Sequence, residues 1–258
     1  MYEIFKLFFT VQQHSEKIKN FFTTKSVIAV IMDSIFRVRY GGRMENSYAP
    51  PNHPMNILYE DSDVLAVEKP AGLLSVPGKT NDLFDCLLSR VKIVFPDALL
   101  VHRLDRDTSG VMVFGMTAHA QRHLSMQFEK RLVKKVYIAR VSGEVAEKSG
   151  QIDLPLTVDW PNRPLQKVCH ETGRSAFTEW VRLKVGNGES RLRLMPKTGR
   201  SHQLRVHCLS MGHPIWGDPL YAPDTAEDYP RMMLHAEELR LNHPESSKGV
   251  KFRIKAPF

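Results

Sequence analysis

The run His102-Arg103-Leu104-Asp105-Arg106-Asp107-Thr108-Ser109-Gly110, continued by Val111-Met112-Val113-Phe114, decides how this chain is read. One carboxylate, Asp105, stands between arginines and just ahead of a turn-forming Thr-Ser-Gly. The four apolar residues that follow read as a buried strand. A carboxylate beside cations is favoured in its charged form, and an ionised carboxylate at a sheet edge can act as a nucleophile. An isolated Arg-x-Asp at a strand start is more often a plain surface ion pair. The reading therefore depends on what else the chain carries.

Upstream, residues 57–60 and 64–68 read as a hairpin around Asp61-Ser62-Asp63. Lys69-Pro70-Ala71-Gly72 reads as a turn. Asp82 is expected to cap a helix over 83–95, in which Leu83, Leu87, Val91 and Val94 recur at helical spacing and Pro96 marks the end. Downstream, Thr117 is expected to cap a helix that runs to about Lys130. Residues 135–141, 177–185 and 190–195 read as strands, the last two joined at Asn187-Gly188. Residues 201–211 read as a helix closed by Gly212, and 231–241 and 250–254 as strands. Helices interleaved with hairpins predict the α+β class, with a mixed, largely antiparallel central sheet flanked by helices and loops.

The length of 258 residues, with 42% hydrophobic and 25% charged residues, suits one large globular domain plus an extension. Residues 1–43 hold seven Lys/Arg against three Asp/Glu, so they carry four of the eight net positive charges. Their apolar residues keep no sustained period, and Gly41-Gly42 precedes Met44. The expected organisation is an N-terminal extension over 1–43, poorly ordered or a start-site artefact, and a single catalytic domain over 44–258. A basic arm that touches RNA is the alternative for the extension. A net charge of +8 and a pI near 9.4 favour a polyanionic partner, nucleic acid before membrane. No apolar run is long enough to span a bilayer. The three cysteines, Cys86, Cys169 and Cys208, are scattered without a C-x-x-C pair. That fits a reducing, cytoplasmic setting without a zinc site, with each thiol a small core residue.

Three more stretches carry chemistry. In Lys134-Lys135-Val136-Tyr137-Ile138-Ala139, Lys135 and Tyr137 share one strand face. A tyrosine beside lysines suits a stacked base next to phosphates, although a half-buried strand tyrosine is the commoner case. In Thr198-Gly199-Arg200-Ser201-His202-Gln203-Leu204-Arg205-Val206-His207, a helix start offers N–H groups to phosphate. Arg205 there can reach back to a carboxylate at the sheet edge. His202 and His207, five apart, do not face one another squarely, so a metal site is not expected. Residues 159–174 read as a basic loop with Arg163, Lys167, His170 and Arg174. It suits either an RNA backbone or open solvent. Arg182, Lys184, Arg191 and Arg193 alternate, which predicts one basic sheet face.

Together these stretches resemble the RluA family of pseudouridine synthases. The family's His-Arg-Leu-Asp and Thr-Ser-Gly stand at 102–110, its Lys-x-Tyr-x-Ala at 135–139, and its Gly-Arg-Ser-His-Gln-Leu-Arg-x-His at 199–207. Its Lys-Pro-x-Gly-Leu-Leu stands at 69–74 and its Gly-Asp-Pro-Leu-Tyr at 217–221. Residues 159–169 resemble those of members that act on both 23S rRNA and a tRNA anticodon stem-loop. The resemblance covers residues 44–258 and implies no separate S4 RNA-binding domain.

It implies that Asp105 lets a uridine's N-glycosidic bond break, after which the rotated uracil rejoins the ribose through C5. The route, by attack at C1′, at C6 or through a glycal, stays open. Tyr137 would stack on the base and serve in the closing proton transfer, and Arg205 would pair with Asp105. Arg103 would enter the RNA helix where the uridine leaves. His102, Arg106, Lys135, Arg163, Lys167, Arg200 and His202 complete the expected RNA-binding set. No cofactor and no metal are expected, because the product is an isomer. The expected partners are 23S rRNA and tRNA stem-loops, with no membrane and no obligate protein partner, the enzyme acting as a monomer. A base-releasing glycosidase would need a second, water-activating group. Asp107 is the nearest candidate, but the Thr-Ser-Gly after it gives it a turn-bracing role. A non-catalytic RNA-binding or RNA-folding module is the other alternative.

Overall fold

The computed structural model describes residues 48–258, so the expected extension over 1–43 lies outside the described residues. The elements in chain order are β1 (Asn56–Glu60), β2 (Val64–Lys69), α1 (Leu87–Val94), β3 (Leu99–Leu100), β4 (Ser109–Gly115) and α2 (Ala118–Glu129). There follow β5 (Lys134–Ser142), β6 (Ser149–Asp153), β7 (Leu156–Val158), β8 (Gln166–Val168), β9 (Phe177–Gly186), β10 (Glu189–Pro196), α3 (Gln203–Ser210), β11 (Leu234–Asn242) and β12 (Gly249–Arg253). Among the described residues, ten strands form one sheet with a main path β1-β2-β4-β11-β5-β10-β9-β6. β4 and β11 run parallel, and the other paired neighbours on that path are antiparallel. This is the expected mixed, largely antiparallel α+β sheet.

The apolar run 111–114 is continuous because β4 is covered on both faces. Met112 and Phe114 pack with Leu65, Val67, Leu87 and Val91 on the α1 side. Val111 and Val113 pack with Val64, Ala66 and Leu124 on the α2 side. Each such side chain, fully withdrawn from water, contributes about 1.5–3 kcal/mol. A third cluster joins β5 and β10 to Leu204 and Cys208 of α3. Tyr137 packs against both this cluster and the α1 cluster, at the seam between the two halves of the sheet.

Gly110 is required by that topology. Its φ is +121°, and an added Cβ would lie 2.2 Å from the carbonyl oxygen of Ala236, where β4 passes β11. Only glycine tolerates both the backbone conformation and the approach.

Four local expectations are corrected. The first helix begins at Leu87, and its cap is Cys86 rather than Asp82. The Cys86 sulfur accepts from Ser89 N–H, and the Ser89 hydroxyl accepts from Cys86 N–H. Residues 159–174 are not all loop, since β8 pairs with β7 as a small hairpin. Arg182 and Lys184 do not share a face. Arg182 lies opposite the buried Leu192 and Lys184 opposite Arg191, because a bulge at Leu183 reverses the alternation. Arg182 instead donates to the carbonyls of Val145 and Ala146. Cys169 is half-buried rather than a core residue, whereas Cys86 and Cys208 are buried. The helix capped by Thr117 is as expected, with its hydroxyl accepting from Ala120 N–H at 3.1 Å.

Candidate active site

Asp105 sits on the turn that leads into β4, closed by Thr108 N–H donating to the Asp105 carbonyl at 3.2 Å. The turn is pinned on either side of the carboxylate. The Ser75 hydroxyl donates to the Leu104 carbonyl at 2.6 Å and accepts from Leu104 N–H at 3.1 Å. On the other side, Lys69 Nζ donates to the Arg106 carbonyl at 2.7 Å, and Gly72 N–H donates to the same oxygen. Lys69 is wholly buried and also donates to the carbonyls of Pro70 and Leu73. Burial pushes its ammonium down to about 7, opposed by the charges of Asp107 and Asp105.

A pocket opens beside this turn, lined by Arg103, Asp105, Lys135, Tyr137, His202 and Arg205 among others. Asp105 keeps 27% of its side chain exposed there, with Arg205 Nη1 3.6 Å from its Oδ2. Arg205 is buried on α3, and its better partner is Asp218, which is fully buried. Nε and Nη2 of Arg205 donate to the two Asp218 oxygens at 2.7 and 2.6 Å. Leu220 and Tyr221 N–H also donate to Asp218. The guanidinium carbon lies 5.0 Å from the centre of the Tyr221 ring. Burial opposes the charge on Arg205, but the hydrogen bonds and charge of Asp218 outweigh it and hold the guanidinium firmly protonated. The expected pairing of Arg205 with Asp105 is thus an edge contact. The bidentate geometry, the stronger kind, belongs to Asp218.

Tyr137 forms another wall. Burial, and then the charge of Asp105, raise its phenol well above the ordinary range. The ring is a neutral aromatic surface that keeps its proton.

Residues 63–210 match the family model described as RNA pseudouridylate synthase, more than half of the chain. The chain belongs to the RNA pseudouridylate synthase family. It is similar to the dual-specificity RNA pseudouridine synthase RluA of Yersinia pestis, at 52% identity over 206 residues, which are 79% of this chain and 100% of that protein. The protein of that name from Escherichia coli K12 is 48% identical over 218 residues, 83% of this chain and 99% of its own length. Among solved structures, human RNA pseudouridylate synthase domain containing 1 superposes with a TM-score of 0.65 at 29% identity, over 84% of this chain and 87% of that one. The chain is an RNA pseudouridine synthase, an isomerase that acts on RNA.

The remaining residues singled out from sequence fall into two groups in this synthase. Arg103, Lys135, Arg200 and His202 line the pocket. Lys135 Nζ donates to the Thr198 carbonyl at 2.6 Å, and burial pushes its pKa down to about 8. Arg200 donates to Ser175 O. His202 adopts a left-handed conformation at the start of α3, and its Nδ1 lies 2.8 Å from the Tyr221 hydroxyl. Burial lowers its pKa. The segment between Thr198 and His202 is shaped by Gln203, whose Oε1 accepts from the Thr198 hydroxyl and from Arg200 N–H.

The others stand elsewhere. Arg106 and Asp107 pair with each other through their side chains at 3.0 Å. Asp107 is absent from the pocket-lining set. Arg163 and Lys167 lie on the β7–β8 hairpin. His102, expected to bind RNA, lies outside the pocket-lining set. Its ring stacks on Phe128, centroids 4.5 Å apart, and Nε2 accepts from Val113 N–H. Burial pushes its pKa down to about 3, so it is a neutral brace beneath β4. Sequence reading gave no role to Asp218, Tyr221 or Lys69. The Gly217–Tyr221 and Lys69–Leu74 motifs were the available signals.

Among the described residues, Asp61, Asp63 and His243 are the one His/Cys/Asp/Glu group close enough to hold a metal. They lie on the β1–β2 turn and in the loop after β11, outside the pocket-lining set. No helix among the described residues is long and apolar enough to cross a membrane.

Proposed function

We propose that this synthase converts a flipped uridine in stem-loop RNA to pseudouridine, with Asp105 as the carboxylate that permits glycosidic cleavage. The observation that carries the reading is the half-open Asp105 carboxylate, pinned through Leu104 and Arg106 and set beside Tyr137 and Arg205. Flipping a base costs a few kcal/mol and is easier where the base is unpaired, which favours loops over duplex. Tyr137 stacks on the uracil. Burial and the charge of Asp105 keep its phenol protonated in the free protein, and beside the base it is placed to serve in the proton transfer that ends the reaction. Arg205 is the positioning cation, held by Asp218 and turned to Asp105 by one edge. Arg103, Lys135, Arg200 and His202 receive the flanking phosphates and sugar, and Arg106, Arg163 and Lys167 extend the basic surface outward.

The targets are a 23S rRNA hairpin and a tRNA anticodon stem-loop. The names of the relatives at 52% and 48% identity, which cover nearly their whole length, support dual specificity. The enzyme works as a cytoplasmic monomer on residues 44–258. It needs no cofactor, because nothing is oxidised or hydrolysed overall. The test is tritium release from RNA labelled at uridine C5, using both stem-loops, the full chain, a variant lacking residues 1–43 and Asp105→Asn. Release from both RNAs by the first two proteins and none by Asp105→Asn is the expected result. Free uracil among the products would overturn the isomerase assignment. Release from one RNA would remove dual specificity.

A further inference from the structure

The tip of the β7–β8 hairpin carries Trp160, whose 65% exposure is the greatest of any large hydrophobic side chain among the described residues. Leaving an indole in water forfeits the hydrophobic gain of burying it. One face is occupied by the guanidinium of Arg163, 3.5 Å from the ring centre. The tip is also preformed. Asp159 accepts from the Asn162 amide at 2.9 Å and from Lys167 Nζ at 3.0 Å. Asp159 N–H donates to Leu165 O, and Asn162 N–H to Asp159 O.

The hairpin is mounted on the catalytic half of the sheet. Gln166 N–H donates to the Tyr221 hydroxyl at 2.9 Å. The same Tyr221 ring lies beside Arg205. Val168 packs with Leu156 and with Val206 of α3. The hairpin that carries this indole, guanidinium and ammonium is thereby anchored to Tyr221 and to the helix that bears Arg205. An aromatic face beside cations is the usual receptor for an unpaired base and its phosphates, because stacking is tolerant of base identity.

We propose that Trp160 and Arg163 form a second base-binding subsite, which stacks an unpaired loop nucleotide of the RNA other than the target uridine. This inference rests on the stem-loop substrate proposed above. It makes Trp160 a specificity-determining residue: the synthase selects RNAs whose loops place an unstacked base one hairpin's reach from the flipped uridine. The neighbouring Arg163 and Lys167 favour an RNA occupant over an apolar protein surface.

The experiment compares wild type, Trp160→Ala and Trp160→Phe on the anticodon stem-loop, intact and with one abasic site at each loop position in turn. KM, kcat and equilibrium RNA affinity are read on the full chain, with a thermal melt as folding control. Trp160→Ala should raise KM about tenfold on intact RNA, within the range of one lost base stack, with kcat changed less than twofold. Trp160→Phe should restore most of the difference. One abasic position should weaken wild type by a similar factor and Trp160→Ala hardly at all, the non-additivity expected of a direct contact. KM within twofold of wild type in Trp160→Ala would overturn the subsite. So would abasic penalties equal in both proteins at every position. If wild type forms no pseudouridine in this RNA, the stem-loop reading fails, and the same affinity comparison still decides the subsite.

Discussion

The Asp105 turn and the Trp160 hairpin both face RNA in this reading, yet they are held in opposite ways. The turn is pinned by buried groups distant in sequence, Ser75 on Leu104 across 29 residues and Lys69 on Arg106 across 37. The hairpin tip is held by neighbours, Asp159 with Asn162 and Lys167, three and eight residues away and exposed. Bond breaking needs a carboxylate fixed to a fraction of an ångström. Gripping a loop needs only a shaped, charged surface. Damage to the first region should therefore appear in turnover and global stability, and damage to the second in affinity alone.

The most severe test of this contrast is Asp105→Asn, which removes the reacting group and keeps its shape. Turnover should fall at least about a thousandfold, while RNA affinity stays within a few-fold. Equal losses in both would mean that Asp105 is an adhesive residue. Next in size is Asp218→Ala, which leaves the Arg205 charge buried without its bidentate partner. Breaking such a pair costs about 3–5 kcal/mol, to be read from urea unfolding together with loss of activity. A cost under about 1 kcal/mol would show that the edge contact to Asp105 suffices.

Lys69 gives a prediction in pH. Its folded pKa, about 7, lies below the ordinary 10.5, so between these values the unfolded chain binds more protons. Stability should then rise with pH from about 7 towards 10, by up to about 1.4 kcal/mol per unit. Lys69→Met should lack that component and, at neutral pH, lose about 1–3 kcal/mol from carbonyls left without a donor. A wild-type curve that is flat over this range would contradict the assignment. The smallest effect is expected from Lys167→Ala on the hairpin. Stability should change by less than about 1 kcal/mol, since the Asp159 pair is exposed. The slope of log affinity against log salt should lessen by about one phosphate contact. A loss of turnover at saturating RNA would erase the distinction between the two regions.

Much of the sheet was legible because local pattern and tertiary role agree. The hairpin at 57–68 around its Asp-Ser-Asp turn, the apolar run at 111–114 and the Thr117 cap each carry their cause within a few residues. The misread features have their causes elsewhere. Cys86 caps α1 through a weak sulfur acceptor, so Asp82 looked the better cap. The bulge at Leu183 depends on pairing with β10, and without that register alternation placed Arg182 on the wrong face. The stacking of His102 on Phe128 and its bond from Val113 N–H depend on α2 and β4, which the motif alone does not show. Asp105, Tyr137 and Arg205, singled out from three separate stretches of sequence, line one pocket. Asp218, thirteen residues after Arg205, was visible only as part of a short motif, because its role exists only once the chain returns beneath α3.

Lys69 has a consequence for assembly. Its ammonium fills a nest of three carbonyl oxygens, from Pro70, Leu73 and Arg106, as a bound structural ion would. This ion is tethered to the chain by its own four-carbon stem, so no chelator can strip it and no supply of ions limits it. It arrives only when β2 docks beside β4. The pairing of β2 with β4 is therefore what brings this ammonium to the Arg106 carbonyl that borders Asp105.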